Sequence, residues 1–223
     1  MPTPCPICDR RRGKRFCPGL ASSRWCKQGK SETICAPCCG EQRETTIDCP
    51  PHCTYLQSAH RYEGERPKRP KEMAFPKVEI RPDFLEEKAG LVAGLSLTLA
   101  RAAGQHSGMH DPDALAALEA LAQSYQTLDS GLYYQQAPAQ PTAQGLYTAL
   151  AEFLLQYGQE QQQKTGINLR PGEALQALVF LRRLGQLEAN GRPLSRRFLD
   201  FLRRQLPPEP AAAQTSPLIV PGR

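Results

Sequence analysis

All nine cysteines of the chain lie at positions 5, 8, 17, 26, 35, 38, 39, 49 and 53, and the rest of the 223 residues carry none. An odd number suits a disulfide framework poorly. The opening Met1-Pro2-Thr3-Pro4-Cys5 lacks the basic and apolar regions of a secretory signal. The expected location is therefore cytoplasmic, where thiols stay reduced. Reduced cysteines packed this densely point to metal.

The spacing sharpens that reading. Cys5-Pro6-Ile7-Cys8 and Cys35-Ala36-Pro37-Cys38 are two-residue-spaced pairs. Such a spacer lets both sulfurs face one ion, as in structural tetrahedral zinc sites. Asp9 after the first pair and Gly40 after the second tolerate the left-handed backbone that a knuckle needs. The third pair, Cys49-Pro50-Pro51-His52-Cys53, precedes a run without helix breakers. Proline is favoured in a helix's first turn, so Cys49 is expected at a cap and Cys53 one turn on. The β-branched residues of Arg43-Glu44-Thr45-Thr46-Ile47 are expected to form a short strand leading into that helix.

Two zinc ions are expected. A sequential arrangement uses Cys5, Cys8, Cys17 and Cys26 for one ion, and Cys35, Cys38, Cys49 and Cys53 for the other. A cross-braced arrangement would join Cys5 and Cys8 to the second knuckle or to the helix pair instead. The sequential set is preferred because it leaves a complete second site. Cys39 is then spare, although it could exchange roles with Cys38; His52 and His60 are substitute ligands. Packing alone is too thin to fold this segment, whose large apolar residues are Ile7, Phe16, Leu20, Trp25, Ile34, Ile47, Tyr55 and Leu56. One structural zinc contributes about 10–16 kcal/mol in small peptides.

A knuckle, a short hairpin and a helix whose first turn supplies the last ligands resemble a treble-clef zinc finger, over residues 35–60 and up to 5–60. The stretch Ile34-Cys35-Ala36-Pro37-Cys38-Cys39-Gly40, with Cys49-Pro50 through Leu56, is also similar to a cysteine motif of uncharacterised bacterial proteins. That likeness implies metal binding and no pathway. An iron–sulfur cluster also takes four thiolates, but the closely repeated run of bacterial ferredoxins is absent. A thioredoxin-like pair would need a βαβ pattern, which is absent too.

Beyond residue 60 the character changes. Residues 61–77, with prolines at 67, 70 and 76 and the basic cluster Arg66, Lys68, Arg69 and Lys71, read as a basic, proline-rich linker. Residues 78–206 then show five apolar stripes at helical spacing, several opened by proline (Pro82, Pro112, Pro171) or closed by glycine, with Pro138 and Pro141 read as a loop before the third. Residues 207–223 are rich in Pro and Ala and read as a disordered tail. The expected fold class is a small metal-stabilised α+β zinc-finger domain (1–60) followed by an all-α helical bundle. No stretch is long and apolar enough for a membrane span. No nucleophile elbow, phosphate loop or Glu-x-x-His pair occurs, so a non-enzymatic adaptor with a protein partner is expected. The oligomeric state stays open.

The net charge of +6 is weak evidence for nucleic acid. The first 60 residues hold nine Lys/Arg and five Asp/Glu, and two tetrathiolate zinc sites at about −2 each would cancel that excess. The densest basic run, Arg10, Arg11, Arg12, Lys14 and Arg15, sits beside Phe16 and is the candidate nucleic-acid surface. Seven further arginines, at 182, 183, 192, 196, 197, 203 and 204, are read first as structural or solvated and second as partner-binding.

Overall fold

A computed structural model describes residues 3–25, 32–65, 70, 72–106, 108–132 and 136–205. Cys26, the basic cluster at 66–71 and the tail lie outside the described residues. The element order is β1 (Arg15–Phe16), β2 (Thr33–Ile34), α1 (Ala36–Gln42), α2 (Thr54–Glu65), α3 (Phe84–Glu87), α4 (Ala89–Gln105), α5 (Asp111–Asp129), α6 (Pro141–Thr165), α7 (Pro171–Glu188) and α8 (Arg197–Gln205). A two-stranded sheet beside a cysteine cluster thus precedes a mostly helical region, as expected.

Helices α4 to α8 follow the five apolar stripes. α4 buries Leu91, Leu95 and Leu99, spaced one turn apart on one face. Pro112, Pro141 and Pro171 stand in the first turns of α5, α6 and α7, where a missing N–H leaves nothing unsatisfied. α6 ends at Gly166, whose φ of 71° is the left-handed conformation that favours glycine. α5 and α7 form the most extensive helix pair. Both bury small residues, Ala114, Ala117 and Ala122 on one and Ala174 and Ala177 on the other, so their axes approach closely. Gly185 of α7 allows the same against α8: a Cβ there would lie 2.9 Å from the Phe198 ring. No helix among the described residues is long and apolar enough to cross a membrane.

Asp111 directly precedes Pro112 and so reads from the sequence as the cap of its own helix. It is instead the first residue of α5, and His110 holds the cap position, its N–H donating to the Asp113 carboxylate at 2.9 Å. The Asp111 side chain, fully buried, reaches across to the start of α8. It accepts from Ser195 Oγ (2.8 Å), Phe198 N (3.1 Å) and Leu199 N (3.2 Å), while its own N–H donates to the Ser195 carbonyl at 2.6 Å. Two of the N–H groups that open α8 and have no partner within that helix are satisfied this way.

The cysteine-rich segment is not separate from the bundle. Residues 61–65, expected to begin a linker, complete α2, because nothing in Arg61-Tyr62-Glu63-Gly64-Glu65 stops a helix. The chain returns to α7 at once: Arg183 donates to the carbonyls of Ala74, Phe75 and Val78 at 2.7–3.0 Å. Gln186 brackets the same stretch through Glu72 and Ala74.

Glu44 joins the two halves. It is 1% exposed and has a φ of 54°, costly for a side-chain-bearing residue and sustained here by its bonds. Its carbonyl accepts from Leu194 N at 2.8 Å, and its carboxylate takes His60 Nε2 and Asn190 Nδ2, each at 2.9 Å. Burial works against this carboxylate, but His60, Asn190 and Arg43 outweigh it and hold Glu44 below the usual carboxylate range. Arg192 donates to the carbonyls of Gly40 and Arg43, closing the carboxyl end of α1 with a cation. Arg196 bonds Asp48 at 2.9 Å and the Met109 carbonyl at 3.0 Å.

The buried Asp111 network yields a measurable consequence. Burial pushes its carboxyl up to about 6 against the pull of its three donors. Since the folded value exceeds the ordinary one of about 3.9, its contribution to stability is fullest in acid and declines as pH rises through about 6. Urea unfolding of Asp111→Ala should show a loss of about 2–4 kcal/mol near pH 4.5, and a smaller loss at neutral pH.

Candidate metal centre

The first knuckle is built by its own backbone. Cys5 N donates to the Arg11 carbonyl at 2.7 Å and Asp9 N to the Cys5 carbonyl at 2.8 Å, with Asp9 at a φ of 49°. The left-handed turn expected after Cys8 is therefore present. The N–H groups of Arg10 and Arg11 point at the Cys8 sulfur and hold that thiol down to about 6. Gly13 then lets the chain press against Thr33, whose carbonyl would lie 2.4 Å from any Cβ there. β1 and β2 follow, antiparallel, with Arg15 opposite Ile34 and Phe16 opposite Thr33.

That hairpin decides the ligand set. It lays residues 5–8 over the start of α1, where Cys35 is the extended cap residue and Cys38 lies in the first turn. The ligand atoms of Cys5, Cys8, Cys35 and Cys38 all lie within 4.8 Å of one another, and the Cys8 and Cys35 sulfurs are 3.9 Å apart. A zinc tetrahedron with about 2.3 Å bonds puts its sulfurs about 3.8 Å apart. Cys5, Cys35 and Cys38 are buried and Cys8 is half-buried. Burial and the neighbouring thiols push Cys38 up, so a cation among the four sulfurs would be needed to hold that one as a thiolate. The spacing, the burial and the all-sulfur donor set fit a tetrahedral metal ion.

The preferred sequential grouping is thereby corrected: Cys5 and Cys8 meet Cys35 and Cys38, in the cross-braced manner, and not Cys17. The reason is the β1–β2 pairing, whose two-residue strands left no readable period in the sequence. The second pair is the opening of a helix; Gly40 is helical and has no left-handed φ. Two further local expectations change. Residues 43–47 form a tight turn closed by an Arg43–Ile47 bridge, not a strand, because Gln42 O takes the N–H groups of Thr45, Thr46 and Ile47. Pro50 and Pro51 precede α2 in a separate turn, with Cys53 N bonded to Pro50 O, so the helix starts at Thr54.

Cys17 and Cys39 are buried, and Cys49 and Cys53 half-buried, away from the first four. Burial pushes Cys17 up to about 11 and Cys49 to about 12. Of the substitute ligands, His60 is engaged by Glu44 and His52 is exposed. Arg10, Arg11, Arg12 and Lys14 are exposed, while the Arg15 guanidinium lies 4.6 Å over the Tyr55 ring. Phe16 beside them is 57% exposed. Of the seven later arginines, five are engaged: Arg182 with Glu119, Arg183, Arg192 and Arg196 as above, and Arg197 with Glu63 and Glu188. Glu44 and Asp111 were the residues that sequence reasoning did not single out for these roles. No protein family, curated protein or solved structure matches the chain.

Thiol chemistry gives a direct check. Thiolates alkylate and thiols do not, so brief iodoacetamide treatment of the metal-free chain at neutral pH should modify Cys8 ahead of Cys17 and Cys49. Mass spectrometry of the digests reads the order. Added zinc should suppress labelling of Cys5, Cys8, Cys35 and Cys38.

Proposed function

We propose that the chain is a non-enzymatic zinc protein in which the ion held by Cys5, Cys8, Cys35 and Cys38 is structural. The observation that carries this reading is the closed four-sulfur cluster. Four protein ligands leave no open coordination position for substrate or activated water, which is the pattern of structural rather than catalytic zinc. Knuckle, hairpin and helix occur in that order around it, so we read residues 5–42 as treble-clef-like. The ion does what the thin core cannot: it ties the first knuckle to α1, and α1 is gripped at its other end by Arg192 of the bundle. The protein then acts as an adaptor, presenting the surfaces of a metal-braced head on a helical body to a protein partner in the cytoplasm.

Chelation of the purified chain under reducing conditions tests the structural role. At least one zinc per chain should be released, with loss of the tertiary signal of Trp25, the only tryptophan of the sequence, whose indole N–H bonds Thr46 within the cysteine segment. The far-ultraviolet helical signal of α4 to α8 should persist. A metal-free chain with the same Trp25 environment would contradict the proposal.

The exposed run of Arg10, Arg11, Arg12 and Lys14 beside the exposed Phe16 favours nucleic acid as a second reading. Guanidinium groups neutralise phosphates and a free aromatic ring stacks on an unpaired base. Under this reading, affinity for single-stranded RNA or DNA measured by anisotropy falls steeply with salt. Replacing Arg10, Arg11, Arg12, Lys14 and Arg15 by glutamine flattens that slope. Absence of binding at low salt to zinc-loaded protein leaves the protein partner.

A further inference from the structure

We infer that Cys17, Cys39, Cys49 and Cys53 form a second, distinct zinc site on a different face of α1 from the first. This deepens the zinc reading above and rests on it for the choice of metal, although the two ligand sets share no residue.

The argument starts from α1. Cys38 and Cys39 are consecutive on a helix, so their side chains leave it about 100° apart. Cys38 joins the first cluster, and Cys39, equally buried, is turned away from it. What Cys39 faces is set by two pieces of chain. The turn that begins at Cys17 is held by Leu20 N donating to the Cys17 carbonyl at 3.1 Å, and the N–H groups of Gly19 and Leu20 also point at the Cys17 sulfur. This repeats the geometry of Arg10 and Arg11 around Cys8. Gly19 seats that turn directly on the strand of chain entering Cys49: a Cβ would lie 2.4 Å from the Asp48 carbonyl oxygen and 2.9 Å from the Ile47 side chain. Only a residue without a side chain permits that approach. Cys53 then follows Cys49 across the Pro50 turn.

The four sulfurs consequently sense one another. Cys17 interacts electrostatically with Cys39, Cys49 and Cys53, and Cys49 with Cys53. Cys17, Cys39 and Cys49 belong with Leu20 and Ile47 to the apolar cluster that also takes in the first four cysteines. The set is more open than the first, since among the described residues only Cys5, Cys8, Cys35 and Cys38 bring three or more ligand atoms within 4.8 Å of one another. Binding one ion would draw the four sulfurs to about 3.8 Å from one another. Ligand chemistry then selects a thiophilic divalent ion, zinc, with Cys39, spare in the sequence reading, as a ligand and Cys26 left out.

Zinc content of the full chain, purified from zinc-supplemented medium under reducing conditions, decides this. Wild type should carry two ions. Cys17→Ser, Cys39→Ser and Cys53→Ser should each carry one, as should Cys8→Ser through the first site. Cys26→Ser should keep two. Because a serine variant can lose metal by misfolding, Cys53→His supplies the control: imidazole also ligates zinc, so this variant should retain two ions where Cys53→Ser retains one. Loss of an ion in Cys8→Ser, with wild-type content in Cys17→Ser, Cys39→Ser and Cys53→Ser, overturns the second site and leaves the first standing. So does loss in Cys26→Ser with retention in Cys39→Ser. A wild-type chain without zinc removes both sites.

Discussion

Four thiols drawn from two ends of a hairpin are brought within 4.8 Å of one another, and the cysteine-rich segment is organised around that convergence. Thiols do not attract one another; left alone they are a buried, weakly hydrogen-bonding group, and their thiolates repel. A cation with a preference for sulfur would make the convergence favourable. The backbone prepares for it: the N–H groups of Arg10 and Arg11 aim at Cys8, and the turn at Asp9 adopts a conformation few residues accept. With the ion in place, the β1–β2 hairpin and α1 form one unit despite a core that consists mainly of Leu20, Ile34, Ile47 and the cysteines themselves.

From α1 the constraint passes into the bundle through a short list of polar contacts. Arg192 closes the far end of α1, Glu44 holds His60 of α2 and Asn190 beyond α7, and Arg196 holds Asp48. These groups are buried or half-buried, where leaving one partner unpaired is costly. The arginine-rich end of the chain is therefore largely spent on internal bonds. The basic run at 10–14, by contrast, stays exposed on the cysteine-rich segment, with Phe16 next to it. The two arginine-rich regions thus differ in role although they look alike in composition.

The helical region was legible in the sequence because its signals are local and repeated. Leu91, Leu95 and Leu99 mark a face, and Pro112 and Pro171 mark starts, whereas Pro141, read as loop, proves to open α6. The metal region was legible as chemistry but not as topology. Cys5-x-x-Cys8 and Cys35-x-x-Cys38 announce ligands, yet which pair meets which depends on two strands of two residues each and on the close approach at Gly13. No periodicity can reveal elements that short. Asp111 shows the other limit. Its place before Pro112 reads as a helix start, which it is, while its carboxylate serves α8, an assignment set by tertiary packing alone.

X-ray absorption at the zinc edge of the purified chain measures the ligand set most directly. Four sulfur neighbours at about 2.3 Å, with no nitrogen or oxygen in the first shell, are the expected result for a closed thiolate site. The same spectrum from a Cys35→Ser chain should lose amplitude in the sulfur shell. A shell containing nitrogen or oxygen in the wild-type chain would contradict the four-thiolate centre, as would iron in place of zinc.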